Sequence, residues 1–432
     1  MAEEPSRPIH FDRLKGFPGC VYSLSMHEIP SAPLSRRDWL RAQATIAVGA
    51  LAANALGEEV VKLPFENGER RLVKYPGKRP LMVLTARPPQ LETPFEVFKE
   101  GVLTPNDAFF VRYHLAGLPT EIDPDTHRLS IGGAVNKPVS FTLADLQKDF
   151  ESVEVTAVLQ CSGNGRGFQV PRVMGGQSGN GAMGNARWKG VRLKDLLLKA
   201  GVKAGAKQVS FNGLDKPVAE KTPDFVKALE LDQALDGEVL VAWEMNGEPL
   251  PFLNGFPLRL VVPGHYGTYW IKHLSEITVL TEPFTGFWNA VAYRIPDNGC
   301  GFIEPGTKAE KTTEIRRYKV RSFITSVLDG EQVSAKRPIT LKGIAFDGGQ
   351  GIHEVQVSTD GGRSWTEAAL GKDLGNYSFR EWSLGGVKLA AGTHELKVRA
   401  FNRAGESQPL EAQWNPNGYL RNVVETTRVK AA

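Results

Sequence analysis

Val153-Glu-Val-Thr-Ala-Val-Leu-Gln-Cys161-Ser-Gly-Asn-Gly-Arg166 is the stretch from which the rest of the chain is read. Its first eight residues are rich in β-branched side chains, which predicts a strand ending at Gln160. The glycines that follow make a turn in which backbone can close tightly around whatever the strand's end presents. That residue is Cys161. A free cysteine beside glycines is most often a small buried hydrophobe, so its neighbours must decide. Arg166 lies close behind it and offers a planar donor fork to an oxyanion. Upstream, Phe109-Phe-Val-Arg112-Tyr-His114-Leu115 supplies a second arginine beside a histidine. Two guanidinium groups converging on one thiolate would attract a small dianion.

Outward from this turn, strand candidates are Gln208 to Phe211, Val239 to Trp243, Leu258 to Val262 and Ile277 to Leu280. Arg192 to Ala200 and Thr222 to Leu229 read as short helices. This pattern predicts a mixed α+β domain over residues 58–305. Polar and charged residues crowd from Pro305 to Arg317, and the boundary is placed there. Beyond it, Ile339 to Phe346, His353 to Ser358 and His394 to Phe401 alternate in the manner of half-buried strands, and Asp360-Gly361 marks a hairpin. Residues 306–432 are therefore expected to form an immunoglobulin-like β-sandwich. It carries no catalytic constellation, so its expected work is assembly.

Size and composition agree with this division. A chain of 432 residues exceeds what one core usually serves. A net charge of +4 with scattered basic residues gives no case for nucleic acid or an anionic membrane surface. The three cysteines, at 20, 161 and 300, have no CxxC or CxxCH spacing, which argues against structural zinc and against haem attached covalently to this chain. At the amino end, Ser35-Arg36-Arg37-Asp38-Trp39-Leu40 precedes an Ala-rich apolar run to Leu56, which resembles a twin-arginine export signal. The run is shorter than the roughly 20 residues a bilayer span needs. Residues 1–57 are read as a cleaved leader and the mature protein as periplasmic, exported folded and without a membrane anchor.

The motifs Phe-Phe-Val-Arg-x-His and Cys-Ser-Gly-Asn-Gly-Arg, in this order, resemble the molybdenum domain of the sulfite oxidase family. Trp243-Glu-Met-Asn-Gly247, Gly255-Phe-Pro-Leu-Arg259 and Val357-Ser-Thr-Asp-Gly-Gly-Arg-Ser-Trp365 continue the likeness. The resemblance implies that Cys161 ligates a molybdenum ion held by one molybdopterin per chain. It implies that Arg112 and Arg166 hold the substrate oxyanion and that Tyr293 is a pocket tyrosine. Phe110, His114, Asp215, Asn254, Arg259, Thr268 and Lys272 match positions around the pterin and its phosphate. Asn254, Ala292 and Gln350 depart from the pattern, where other members carry His, Asp and a pocket Arg. The implied reaction is oxidation of sulfite to sulfate by oxygen-atom transfer, with electrons leaving one at a time to a c-type cytochrome. A homodimer, a complex with a haem subunit, or both are further expectations. The nearest alternatives are a related subunit acting on protein-bound sulfane sulfur and a reductase of small oxides. A cofactor-free binding protein and a Cys-His thiol enzyme are more remote ones.

Overall fold

The structure is a computed structural model that describes residues 59–432, so the leader expected over residues 1–57 lies outside the described residues. Residues 59–432 form one compact unit. The strand Val153–Gln160 is observed, paired antiparallel with Met183–Arg192. That strand in turn pairs with Leu240–Met245, which also carries Arg259–Val261. A second sheet, Val60–Lys62 through Gln90–Glu92 to Val111–Arg112, runs in sequence order and sets Arg112 opposite Gln90. A third joins Lys227–Glu230, Gln208–Gly213, Leu274–Leu280, Leu129–Gly133 and Val139–Phe141, with one parallel pair between Leu274–Leu280 and Leu129–Gly133.

The helices are short. Leu193–Ala200 buries Leu193, Leu196, Leu197 and Ala200 on one face, the spacing that predicted it. Leu143–Asp149 starts at a capping box, in which Thr142 accepts from the Asp145 amide at 2.9 Å and Asp145 accepts from the Thr142 amide at 2.8 Å. The helix expected over Thr222 to Leu229 is not formed. Lys227–Glu230 is instead a strand against Gln208–Gly213, because that pairing satisfies its backbone and buries Lys227, Ala228 and Leu229.

In the carboxyl-terminal part, Arg321–Ile324, Ile339–Phe346, Arg380–Val387 and Ala369–Leu370 form one sheet. Gln332–Val333, Thr426–Ala431, Gly392–Asn402, Ile352–Ser358 and Thr366–Glu367 form the other. Leu341, Val355, Trp382, Leu396 and Val398 share one buried core between them. The hairpin expected at Asp360-Gly361 is present, with Gly361 and Gly362 at φ +79° and +100° and Asp360 accepting from the amides of Arg363 and Ser364. The boundary expected at residue 305 falls inside the connection of another hairpin, Arg294–Pro296 with Thr312–Glu314.

One junction matters for the site. The free side of Val153–Gln160 is covered by carboxyl-terminal residues: Tyr318 OH donates to Val158 O at 3.0 Å, and the Val158 amide donates to Tyr377 O at 2.8 Å. Arg321 is buried beside it, donating to Gln160 Oε1 at 3.2 Å and Asn180 Oδ1 at 2.9 Å and pairing with Glu425 at 3.1 Å.

Candidate active site at Cys161

Cys161 begins the turn that follows its strand. The Cys161 amide donates to Ala182 O at 2.9 Å, and Asn164 closes the turn by donating its amide to Cys161 O at 3.0 Å. The Asn164 side chain accepts from the Ala182 amide at 3.0 Å, and Ser178 Oγ donates to Gly163 O at 2.6 Å. A Cβ at Gly163 would meet the Arg166 guanidinium at 2.7 Å and displace it, and Gly165 suits its position because its φ is +84°.

Two cavities meet at this cysteine, sharing Phe110, Arg112 and Cys161 in their walls. The first is lined also by His114, Asn254, Arg259, Thr268, Lys272 and Tyr293, and the second by Arg166, Glu92 and Ser178. Ten of the eleven residues singled out from the sequence therefore line one cavity or the other. The exception is Asp215. It is buried behind the first cavity, where burial raises its carboxyl pKa and Lys272 opposes that rise. Gln350 also stands apart, in an exposed loop whose amides bond Asp347. It does not occupy the pocket position expected of it.

The first cavity is electropositive. Lys272 is drawn down to a pKa of about 7 and Arg259 to about 9, in both cases by burial first. Lys272 Nζ donates to Arg112 O at 2.7 Å, and Arg259 donates to Asn254 O at 2.8 Å while lying 4.9 Å over the Trp188 ring. Asn254 bridges elements of the protein itself, accepting from Lys78 Nζ and donating to Phe110 O at 3.1 Å. His114 Nε2 meets the hydroxyl of Tyr293, and its ring stacks on Phe225 at 3.7 Å. Burial, then Arg112, Lys272 and Lys227, hold His114 well below the usual histidine range, so it is neutral near pH 7. Tyr293 takes a left-handed backbone, φ +57°, and burial pushes its hydroxyl far above the usual range.

The carboxyl-terminal part does more than the assembly expected of it. Tyr419 stacks on Tyr293 at 5.6 Å, and the Arg166 guanidinium sits 5.1 Å over the Tyr419 ring. Arg166 Nε also donates to Asn417 O at 2.9 Å. Sequence reasoning missed Tyr419 because no motif links it to Cys161. It also missed Ser162, whose place beside the cysteine was a signal, and Glu92. Glu92 is buried, accepts from the amides of Gly179 and Gly181 at 3.0 and 2.7 Å, and is raised by burial to a pKa of about 7.

Comparison with known proteins matches two segments of the chain. Residues 115–288 match the model of the oxidoreductase molybdopterin binding domain, and residues 312–431 that of the Mo-co oxidoreductase dimerisation domain. The sulfite oxidase of Arabidopsis thaliana is 30% identical over 384 residues, covering 83% of this chain and 96% of that protein. This chain belongs to the sulfite oxidase family. Another member, the mitochondrial sulfite oxidase of Homo sapiens, is 36% identical over 362 residues, covering 79% of this chain. The match spans 64% of the human protein's length. Among solved structures, the sulfane dehydrogenase SoxCD of Paracoccus pantotrophus superposes with a TM-score of 0.67 at 27% identity, covering 80% of this chain and 85% of that one.

The residues present fit the molybdopterin that a sulfite oxidase family domain implies. Buried polar atoms ordinarily find partners, yet Arg259 Nε, Ser162 Oγ and Thr268 Oγ1 have none in the wall of the first cavity. Beside them lie two cations, buried Arg259 and half-buried Lys272, that form no salt bridge among the described residues. Such a wall fits an anionic group rich in hydrogen-bonding atoms, and Cys161 in the same wall carries the soft sulfur that would suit its metal.

Proposed function

We propose that this chain oxidises sulfite to sulfate by oxygen-atom transfer at a molybdenum held by Cys161 and one molybdopterin. Electrons pass one at a time to a c-type cytochrome. The carrying observation is that Cys161, and not the other described cysteine, Cys300, stands where two cavities join, one walled by partnerless polar atoms and the other by Arg166. When bound, the cofactor would supply the transferable oxygen and store two electrons.

The protein's own residues do the rest. Arg112 and Arg166 bind the incoming oxyanion from two sides, with the fork geometry that suits Arg better than Lys. Cys161 ligates the metal. Arg259, Lys272, Thr268 and Ser162 would hold the pterin and its phosphate. Tyr293 offers its hydroxyl at the reacting end, oriented by neutral His114. Phe225, Trp288 and Tyr419 exclude water around that hydroxyl. The carboxyl-terminal part, which we assign an immunoglobulin-like topology, would serve a homodimer as well as this wall. Export through the twin-arginine route, suggested by Arg36 and Arg37, would place the enzyme in the periplasm beside its cytochrome.

A second reading is favoured by the likeness to the sulfane dehydrogenase: oxidation of sulfane sulfur carried on a protein. The test is metal and pterin content followed by sulfite-dependent cytochrome c reduction in the same sample, for wild type and Cys161→Ser. About one molybdenum per chain with activity lost in the variant supports the proposal. Molybdenum without sulfite turnover moves the sulfane reading ahead, and absence of molybdenum from protein matured with cofactor supplied defeats both.

A further inference from the structure

Lys227 lies on the strand Lys227–Glu230, behind the aromatic wall of the first cavity, and is fully buried. It forms no salt bridge among the described residues. Its Nζ donates one hydrogen bond, 2.7 Å to Trp288 O, and otherwise faces two tyrosine rings, 4.5 Å from the centroid of Tyr269 and 5.8 Å from that of Tyr293. Glu314, the carboxylate that most favours its charge, is engaged by Asn289 Nδ2 at 3.1 Å and Tyr269 OH at 3.2 Å. Burial draws the lysine down to a pKa of about 7. A buried cation without a carboxylate is unfavourable for folding, and an apolar side chain of similar length would fill the same space without that penalty.

Apart from the Tyr269 ring, the contacts of Lys227 concern one turn. Trp288 O opens the segment leading to Tyr293, and the Trp288 ring packs on His114 at 5.0 Å and Phe225 at 5.1 Å. Asn289 in the same turn accepts from the Ala228 amide at 3.2 Å, and Arg294 NH1 donates to Asn289 O at 3.1 Å. The turn thereby holds Tyr293 in a left-handed conformation that a bulky residue seldom adopts. The expected third pocket cation is absent at Gln350, which leaves the Tyr293 end of the cavity without a charge of its own from the carboxyl-terminal part.

We propose that Lys227 is a positioning residue, whose ammonium pins the Trp288 to Tyr293 turn so that the tyrosine hydroxyl meets His114, and whose charge helps this end of the cavity receive an oxyanion. The inference rests on the oxyanion reading of the site. It adds a residue that does not itself line the cavity and that acts through Tyr293.

The test compares wild-type holoenzyme with Lys227→Met and Lys227→Arg, measuring sulfate affinity by calorimetry and sulfite turnover by steady-state kinetics. The expected result is a roughly tenfold weaker sulfate affinity and a matching rise in sulfite KM for Lys227→Met, on the scale of one lost charged contact, with kcat changed less. Lys227→Arg is expected to recover most of both. Lys227→Met within about twofold of wild type in affinity and KM, or a loss that Lys227→Arg fails to reverse, overturns the proposal. A wild type that binds sulfate through Lys227 but does not turn over sulfite defeats the proposed reaction and leaves this role standing.

Discussion

Buried positive charge is handled differently on the two sides of Cys161. Toward the carboxyl-terminal part, Arg321 pairs with Glu425, and Glu425 also pairs with Arg421 at 2.9 Å. Burial opposes the charge on Glu425, but Arg421 and Arg321 outweigh it and hold the carboxyl below its usual range. In and around the first cavity, Lys78, Lys227 and Arg259 are equally buried and Lys272 is half-buried, and none of the four forms a salt bridge among the described residues. Burial, aided by neighbouring arginines, carries each lysine to a pKa of about 7. The protein completes one set of charges itself and leaves the other for an anion that comes from outside. The first set belongs to the scaffold and the second to function.

The largest expected effect falls where the two sets meet. Cys161→Ser is expected to lower sulfite turnover by about a thousandfold or more, because no other soft ligand lines either cavity, and to leave thermal unfolding of the cofactor-free chain nearly unchanged. A large loss of stability in that variant would blur the distinction. Next, Arg321→Met is expected to destabilise the fold by about 3 kcal/mol, seen in urea unfolding, since it breaks a buried pair on the self-completed side. Third, Arg259→Met is expected to reduce retained pterin by roughly tenfold or more, measured by fluorescence of the released and oxidised cofactor. The same variant should raise the stability of the cofactor-free chain, an outcome opposite in sign to Arg321→Met.

A fourth expectation concerns pH. Lys78, Lys227 and Lys272 have folded pKa values of about 7 against an ordinary 10.5. Between those values the unfolded chain holds more protons, so stability rises with pH across the window and is lost as pH falls through 7. Cofactor-free protein should therefore gain a few degrees in Tm on going from about pH 7 to 9, and loading with cofactor should flatten that rise. The smallest effect is expected at the exposed pair Arg192 and Glu151, 2.6 Å apart, where Glu151→Gln should change stability by less than about 1 kcal/mol.

The parts of this molecule that were legible beforehand are those written in local patterns. Val153–Gln160 announced itself by β-branched residues, and Leu193–Ala200 by leucine spacing. The cysteine turn was legible because glycines and an arginine sit within a few residues of Cys161. Thr222 to Leu229 misled because its apolar spacing suits a helix, while pairing with Gln208–Gly213 decides the outcome and no local signal reports that partner. Tyr419 and Lys227 were hidden for the same reason, since each reaches the site through contacts made across the fold. Gln350, noted beforehand as a departure from the family pattern, lies in a loop organised by Asp347 and faces solvent.

The bond from Arg166 to Asn417 joins residues 251 positions apart. A chain still emerging from the ribosome reaches Cys161 long before Asn417 and Tyr419 exist, so during synthesis the cavity stands open on the Tyr293 side. Closure is among the last events of folding, because it awaits the most distant contacts. That order leaves an interval in which a bulky cofactor can slide into a nearly finished cavity, and the final segment then shuts it in.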